Sequence, residues 1–154
     1  MAKFPTEVER SVTADVPLAR AYAFMWDVVT SARCIPGIES CEAVGDDTYH
    51  FLYRERSTGP VSLVVRYTAE YTGNGTDEIR FRGLGRSEDN TDVEGLIRFE
   101  PDGESRTRIT LRQMLAPDTP VPRLLQGLIR SFVEKEAASG VTGYLDNVKR
   151  TLEV

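Results

Sequence analysis

The sequence predicts an α+β fold: a seven-stranded curved antiparallel sheet around a long C-terminal helix, with two short helices after the first strand. Three observations carry this expectation. Residues 38–116 alternate apolar and polar side chains with a period of two, interrupted by short turn signals. Residues 121–152 change to a helical period. The 154 residues suffice for a single domain, 1–154, and their 40% hydrophobic content supports a core without metal or disulfide staples.

The first strand covers Thr6–Thr13, where Val8, Arg10 and Val12 oppose Glu7, Glu9 and Ser11. Asp15 then offers a helix N-cap, and Pro17 suits a first turn. Val16, Ala19, Ala23 and Trp26 recur at near-helical spacing, so a helix is expected over 16–27, with Trp26 anchoring it to the sheet. A second short helix is expected over 30–34, stopped by Ile35-Pro36-Gly37. Strands follow over 39–45, 48–57, 61–72, 77–86, 91–101 and 106–116. Their connections, such as Gly45-Asp46-Asp47 and Gly73-Asn74-Gly75, are short enough to imply an antiparallel meander. The prolines at 117, 120 and 122 read as a rigid connector. A last helix over 121–152 would be about 45 Å long, with a weak point at Ser139-Gly140.

A sheet with one apolar face must cover it, and the C-terminal helix is the element long enough to do so. The space between them becomes a pocket wherever inward side chains are too small to fill it. Three stretches of this chain now bear on a family. They are Val12-Thr13-Ala14-Asp15-Val16-Pro17, Tyr22-Ala23-Phe24-Met25-Trp26-Asp27 and Ala32-Arg33-Cys34-Ile35-Pro36-Gly37-Ile38. With this order of elements, the chain resembles the helix-grip fold of the START-like (SRPBCC) superfamily, also called the Bet v 1-like or polyketide cyclase/dehydrase group. The stretch 32–38 is similar to the corresponding turn of the carbon monoxide dehydrogenase G branch. The resemblance implies a site for a lipid, sterol, quinone, polyketide or plant hormone. It implies no catalytic residue, because the superfamily has no universal catalytic motif.

Period two assigns the inward face. If Val65, Tyr67 and Ala69 point inward, so do Phe51, Tyr53 and Glu55 on the neighbouring strand. Phe81, Phe99 and Gln113 join them from later strands, and Leu125, Leu128 and Phe132 face them from the helix. Without Ala69 and Glu55, these residues form the expected ligand-binding set: an apolar concavity with Tyr53, Tyr67 and Gln113 as its directed polar groups. Glu55 is the candidate catalytic acid or base, since burial on an apolar face would raise its pKa. Its place between Arg54 and Arg56 equally fits a solvated rim. Glu136 is open to either a surface role or the cavity.

Other chemistries find less support. Net charge of −5 argues against a nucleic-acid partner. No apolar run spans a bilayer, and Met1-Ala2-Lys3-Phe4-Pro5 lacks the apolar stretch of a signal peptide, so the cytosol is the expected compartment. Cys34 and Cys41 are expected as free thiols acting as small apolar fillers. With His50 as the single histidine, a structural zinc site would need acidic help, and neither a metal nor a cofactor is expected. His50 falls on the outward face, which also carries interleaved Arg and Glu residues that read as cross-strand ion pairs. A docking surface for an acidic partner or an anionic membrane is the alternative reading of that face. Gly83, Gly85 and Gly95 read as a bend or bulge. The expected function is the binding of a hydrophobic small molecule. The alternatives are a polyketide cyclase/dehydratase-type enzyme and a non-catalytic partner-binding or redox-enzyme accessory protein; oligomeric state is left open.

Overall fold

A computed structural model describes residues 2–154. The elements are β1 (Ala2–Lys3), β2 (Thr6–Ala14), α1 (Leu18–Trp26), α2 (Val28–Ser31), β3 (Ile38–Gly45), β4 (Thr48–Tyr53), β5 (Arg56–Thr58), β6 (Val61–Leu63), β7 (Arg66–Gly73), β8 (Glu78–Gly83), β9 (Thr91–Pro101), β10 (Thr107–Thr119) and α3 (Gln126–Leu152). The antiparallel sheet runs β3-β4-β7-β8-β9-β10, and β10 pairs on its far side with β2 and then β1. Those two pieces share one edge, so the sheet has seven positions, as expected from the meander. Its concave face is covered by α3, with α1 and α2 closing one end.

Several boundaries differ from the sequence reading. Helix α1 starts at Leu18 with Pro17 as its N-cap and no side-chain capping bond, and the Asp15 amide donates to Glu153 at the far end of the chain, 2.9 Å away. Asp27 is the residue that caps, accepting from the Thr30 amide of α2. The two long strands expected over 48–57 and 61–72 each break, into β4/β5 and β6/β7. Asn90 stabilises this break: its side chain donates to the Val64 carbonyl and accepts from the Arg66 amide. The tip of the hairpin thereby leaves the sheet and leans on α3, where Val61 and Leu63 pack with Phe4, Ile129 and Val133 in a second core. Finally, β10 continues through Pro117 to Thr119 rather than ending in a connector. Pro117 has no amide to donate, but its carbonyl accepts from Phe4, and β1 pairs beyond it.

Helix α3 is 27 residues long and passes through Gly140 and Gly143 without interruption. A 3-10 turn, Arg123–Leu125, precedes it where helix was expected from 121. Its buried stripe is Ile129, Val133, Ala137, Val141, Leu145, Val148 and Leu152. Helical spacing in the sequence points to Ala138, Val141, Leu145, Val148 and Leu152; the stripe agrees from Val141 on, with Ala137 buried in place of Ala138, and its N-terminal part is one residue later than Leu128 and Phe132. Docking of Ile129 and Val133 on the hairpin tip sets that phase, and it leaves Leu128 45% exposed.

Gly95 is regularly paired with Phe81 on one side and Gln113 on the other, so it marks no bulge. The ring of Phe81 lies over it, and a Cβ there would be 2.0 Å from Phe81 Cζ. On the outer face, Glu70–Arg82 (3.2 Å), Glu78–Arg80 (2.9 Å) and Lys3–Asp92 (2.8 Å) form exposed ion pairs. Exposed pairs of this kind are screened by water and add little to stability. Among the described residues, no helix is long and apolar enough to cross a membrane.

Candidate functional site

Between the sheet and α3 lies a cavity of about 280 Å³. That is near the lower end of the roughly 300–1,000 Å³ typical of small-molecule sites. The Ile35-Pro36-Gly37 turn borders it, Leu63 and Val65 line it from the hairpin, and Ala137, Gly140 and Val141 face it from α3. Gly37 is suited to its turn by a φ of +76°, which side-chain-bearing residues rarely adopt. Two hydrogen bonds fix the turn: Arg54 N–H to the Gly37 carbonyl (2.8 Å) and Asn147 Nδ2 to the Cys34 carbonyl (2.9 Å).

The lining divides into an apolar body and a polar ring. Leu63, Val65, Phe81, Ile97, Leu111 and Leu115 supply most of the sheet side, and Phe132, Val133 and Val141 the helix side. Four phenols, Tyr53, Tyr67, Tyr71 and Tyr144, enter the wall together with Gln113. The Tyr53 and Tyr67 hydroxyls are 3.1 Å apart and share a hydrogen bond. Burial pushes the Tyr53 phenol up to about 12, and Tyr67, Tyr71 and Tyr144 are raised by burial as well. These groups therefore act at neutral pH as hydrogen-bonding phenols, not as phenolates. Glu136 is, among the described residues, the only carboxylate in the wall. The exposed lining residues Arg54, Arg56 and Ser139 mark the mouth.

Of the residues expected at the site, Tyr53, Val65, Tyr67, Phe81, Gln113 and Phe132 come together around this cavity. Five others do not. Phe51 is buried behind it, stacked on Tyr67 with ring centroids 4.9 Å apart. Phe99 packs 5.3 Å from Tyr22 at the α1 end of the core. Leu125 lies in the 3-10 turn before α3 and joins the second core, and Leu128 faces outward through the shifted phase of α3. Glu55 is exposed and lies outside the lining, because the strand ends at Tyr53 and its period-two phase ends with it.

Tyr71 and Tyr144, outside the expected ligand-binding set, join the site; Tyr71 lies on the strand face that alternation over 61–72 already assigns inward. Tyr71 shares the phase of Tyr67 four residues earlier, and Tyr144 continues the i, i+4 series Phe132, Glu136, Gly140. Both signals were present in the sequence. Cys41 has its thiol pushed up to about 12 by burial, and burial also raises Cys34, so neither is a thiolate at neutral pH. Both cysteines are free. Trp26 stacks on Tyr22, 6.4 Å away, outside the cavity lining.

A curved sheet holding a single helix over an apolar cavity with a phenolic ring defines a helix-grip domain of the START-like class. The chain belongs to the family described as "Polyketide cyclase / dehydrase and lipid transport", which matches residues 5–153. Solved structures of the same fold include a protein from Thermus thermophilus, with a TM-score of 0.72 at 22% identity over 96% of this chain and 97% of that one. The Zhui aromatase/cyclase from a Streptomyces species has a TM-score of 0.68 at 17% identity over 97% and 94% of the two chains. A START superfamily protein from Mycobacterium smegmatis has a TM-score of 0.68 at 14% identity over 96% and 97%. No curated protein matches the sequence.

Proposed function

We propose that this protein binds an apolar small molecule of the lipid, quinone or polyketide-like kind in the cavity between sheet and α3. The carrying observation is the cavity itself: an apolar body with hydroxyl and amide groups grouped in its wall. Such a site gains most of its affinity from desolvation, at roughly 25 cal/mol per Å² of apolar surface buried. Tyr53, Tyr67 and Gln113 would orient a carbonyl or hydroxyl of the ligand. The Cys34–Ile38 turn, beside the mouth, would govern access. Titration with an apolar fluorescent probe tests this reading. Gly140 lines the cavity and an added Cβ there meets nothing within 4 Å, so Gly140→Leu directs a side chain into the space a ligand would occupy. Saturable probe binding that is lost in folded Gly140→Leu is the expected result. Equal binding by both proteins would overturn the reading.

A cyclase-type reaction is the second reading, favoured by Glu136 in the wall. Here Glu136 takes the proton-transfer role that the sequence suggested for Glu55. Glu136→Gln would then abolish turnover of a polyketide-like chain and leave probe binding intact. Turnover unaffected by that substitution would remove the carboxylate from the mechanism.

A further inference from the structure

On the side of the sheet opposite the cavity, the β8–β9 connection folds back over β4 and β7. The Leu84 amide donates to the Thr68 carbonyl (2.9 Å), and the Asn90 amide to the Arg66 carbonyl (3.1 Å). His50 and Thr68 are paired across β4 and β7 and alternate with the inward Phe51 and Tyr67, so both point toward this connection. His50 is thus outward, as its phase requires, but covered: its side chain is 25% exposed.

Beneath the connection the Asp89 side chain is only 3% exposed. Among the described residues, neither of its carboxylate oxygens has a hydrogen-bond partner. A buried carboxylate left this way is strongly unfavourable and calls for a cation. The His50 Nδ1 is 3.6 Å from Asp89 Oδ1, too far for a hydrogen bond, and has Thr68 Oγ1 at 3.0 Å. Nδ1 has one in-plane position to offer, so it exchanges the Thr68 hydroxyl for a cation when it ligates one. Glu88 adds a second carboxylate: one donor atom each from His50, Glu88 and Asp89 lie within 4.8 Å of one another. Protonating one imidazole leaves this group with an excess negative charge, whereas a divalent cation removes it.

We propose that His50, Glu88 and Asp89 bind a divalent transition-metal ion, zinc being the best fit, which pins the 84–90 connection to the outer face. The donor chemistry is one imidazole and two carboxylates. This suits borderline ions better than calcium or magnesium, which prefer all-oxygen shells, and better than the soft ions that prefer thiolate. The spacing is compatible too. A tetrahedral ion about 2.1 Å from each donor separates its ligands by about 3.4 Å, close to the His50–Asp89 distance. Glu88 is exposed, so water has access to complete the shell from that side. The acidic help that a lone histidine needs comes from a connection nearly 40 residues along the chain.

The site also touches the cavity wall from behind. Asn90 follows Asp89 directly and grips the backbone on both sides of Val65, a lining residue. The proposal stands on the outer face alone and does not depend on what the cavity binds.

Calorimetric titration of the full chain with zinc ions, and with magnesium as a control, tests it. Wild type should take up one zinc per chain, and His50→Ala, Glu88→Gln and Asp89→Asn should each weaken uptake by at least about tenfold. Zinc should slow hydrogen exchange at the Arg66 and Asn90 amides in wild type only. Should Asp89→Asn fail to fold, the exposed Glu88→Gln and the half-buried His50→Ala still decide the matter. Absence of stoichiometric binding would overturn the proposal, and so would equal affinity in wild type and these two variants. So would His50 imidazole resonances that do not respond to zinc.

Discussion

Two glycines of α3, three residues apart, offer a matched test of how closely the helix approaches the Ile35-Pro36-Gly37 turn. In the interior of a helix, Gly→Ala is worth about 0.8–1.0 kcal/mol of propensity. A Cβ at Gly140 meets nothing within 4 Å, so Gly140→Ala should show that gain undiminished. A Cβ at Gly143 would be 2.6 Å from Pro36 Cγ, roughly 1 Å inside ordinary contact. The proline ring is rigid, and its turn is tied to Arg54 and Asn147, so relief requires moving the helix or the turn. Overpacking of this kind costs about 1–3 kcal/mol. The propensity gain is common to both variants and cancels in their difference, which isolates the clash. Urea unfolding reads it directly. With a slope of about 1.5 kcal/mol/M, the midpoint of Gly143→Ala should fall about 0.7–2 M below that of Gly140→Ala. Equal midpoints with equal slopes would mean that the helix and turn do not meet, and the shape derived for the mouth would be wrong.

Other expectations follow from the same geometry. Tyr67→Phe should cost about 0.5–1.5 kcal/mol, and a double-mutant cycle with Tyr53→Phe should show coupling; zero coupling would mean that the hydroxyls 3.1 Å apart do not bond. Gly95→Ala forces the Phe81 ring toward the cavity and should cost about 1–3 kcal/mol in urea unfolding, a loss relieved by Phe81→Leu; wild-type stability in Gly95→Ala would contradict the stacking. In alkali, the buried phenols ionise near pH 10 in the unfolded chain but only higher in the fold, at about 12 for Tyr53. Above about pH 10 the unfolded chain therefore holds fewer protons, and each buried phenol lowers stability by up to about 1.4 kcal/mol per pH unit until it ionises in the fold. Stability should be full below about pH 10 and decline toward 12; denaturant midpoints constant across that window would refute the burial of these tyrosines.

Much of the architecture was legible because it depends on period and order. Alternation fixed the inward faces of β7, β8, β9 and β10, and the buried C-terminal stripe of α3 followed from Val141, Leu145, Val148 and Leu152. The failures mostly concern long-range contacts that no local pattern encodes. The hairpin tip leaves the sheet because Asn90, more than 20 residues away in sequence, takes over hydrogen bonds at Val64 and Arg66. That break removed Glu55 from the inward phase. The same tip, with Phe4 from the other end of the chain, rotated the N-terminal half of α3 and turned Leu128 outward. Phe51 and Phe99 do point into the core, but period two distinguishes faces and not which part of a face is hollow. Asp89 was invisible for a related reason: its burial comes from a loop folding over a strand, and loop sequences carry no phase.

The cavity and its occupant are tested most directly by native mass spectrometry of the protein purified from its own cells, combined with solvent extraction. We expect an added mass on the folded chain that is removed by apolar solvent and is absent from Gly140→Leu. A chain of bare mass that also takes up no lipid, quinone or polyketide-like compound when these are supplied would show that the cavity has no such occupant.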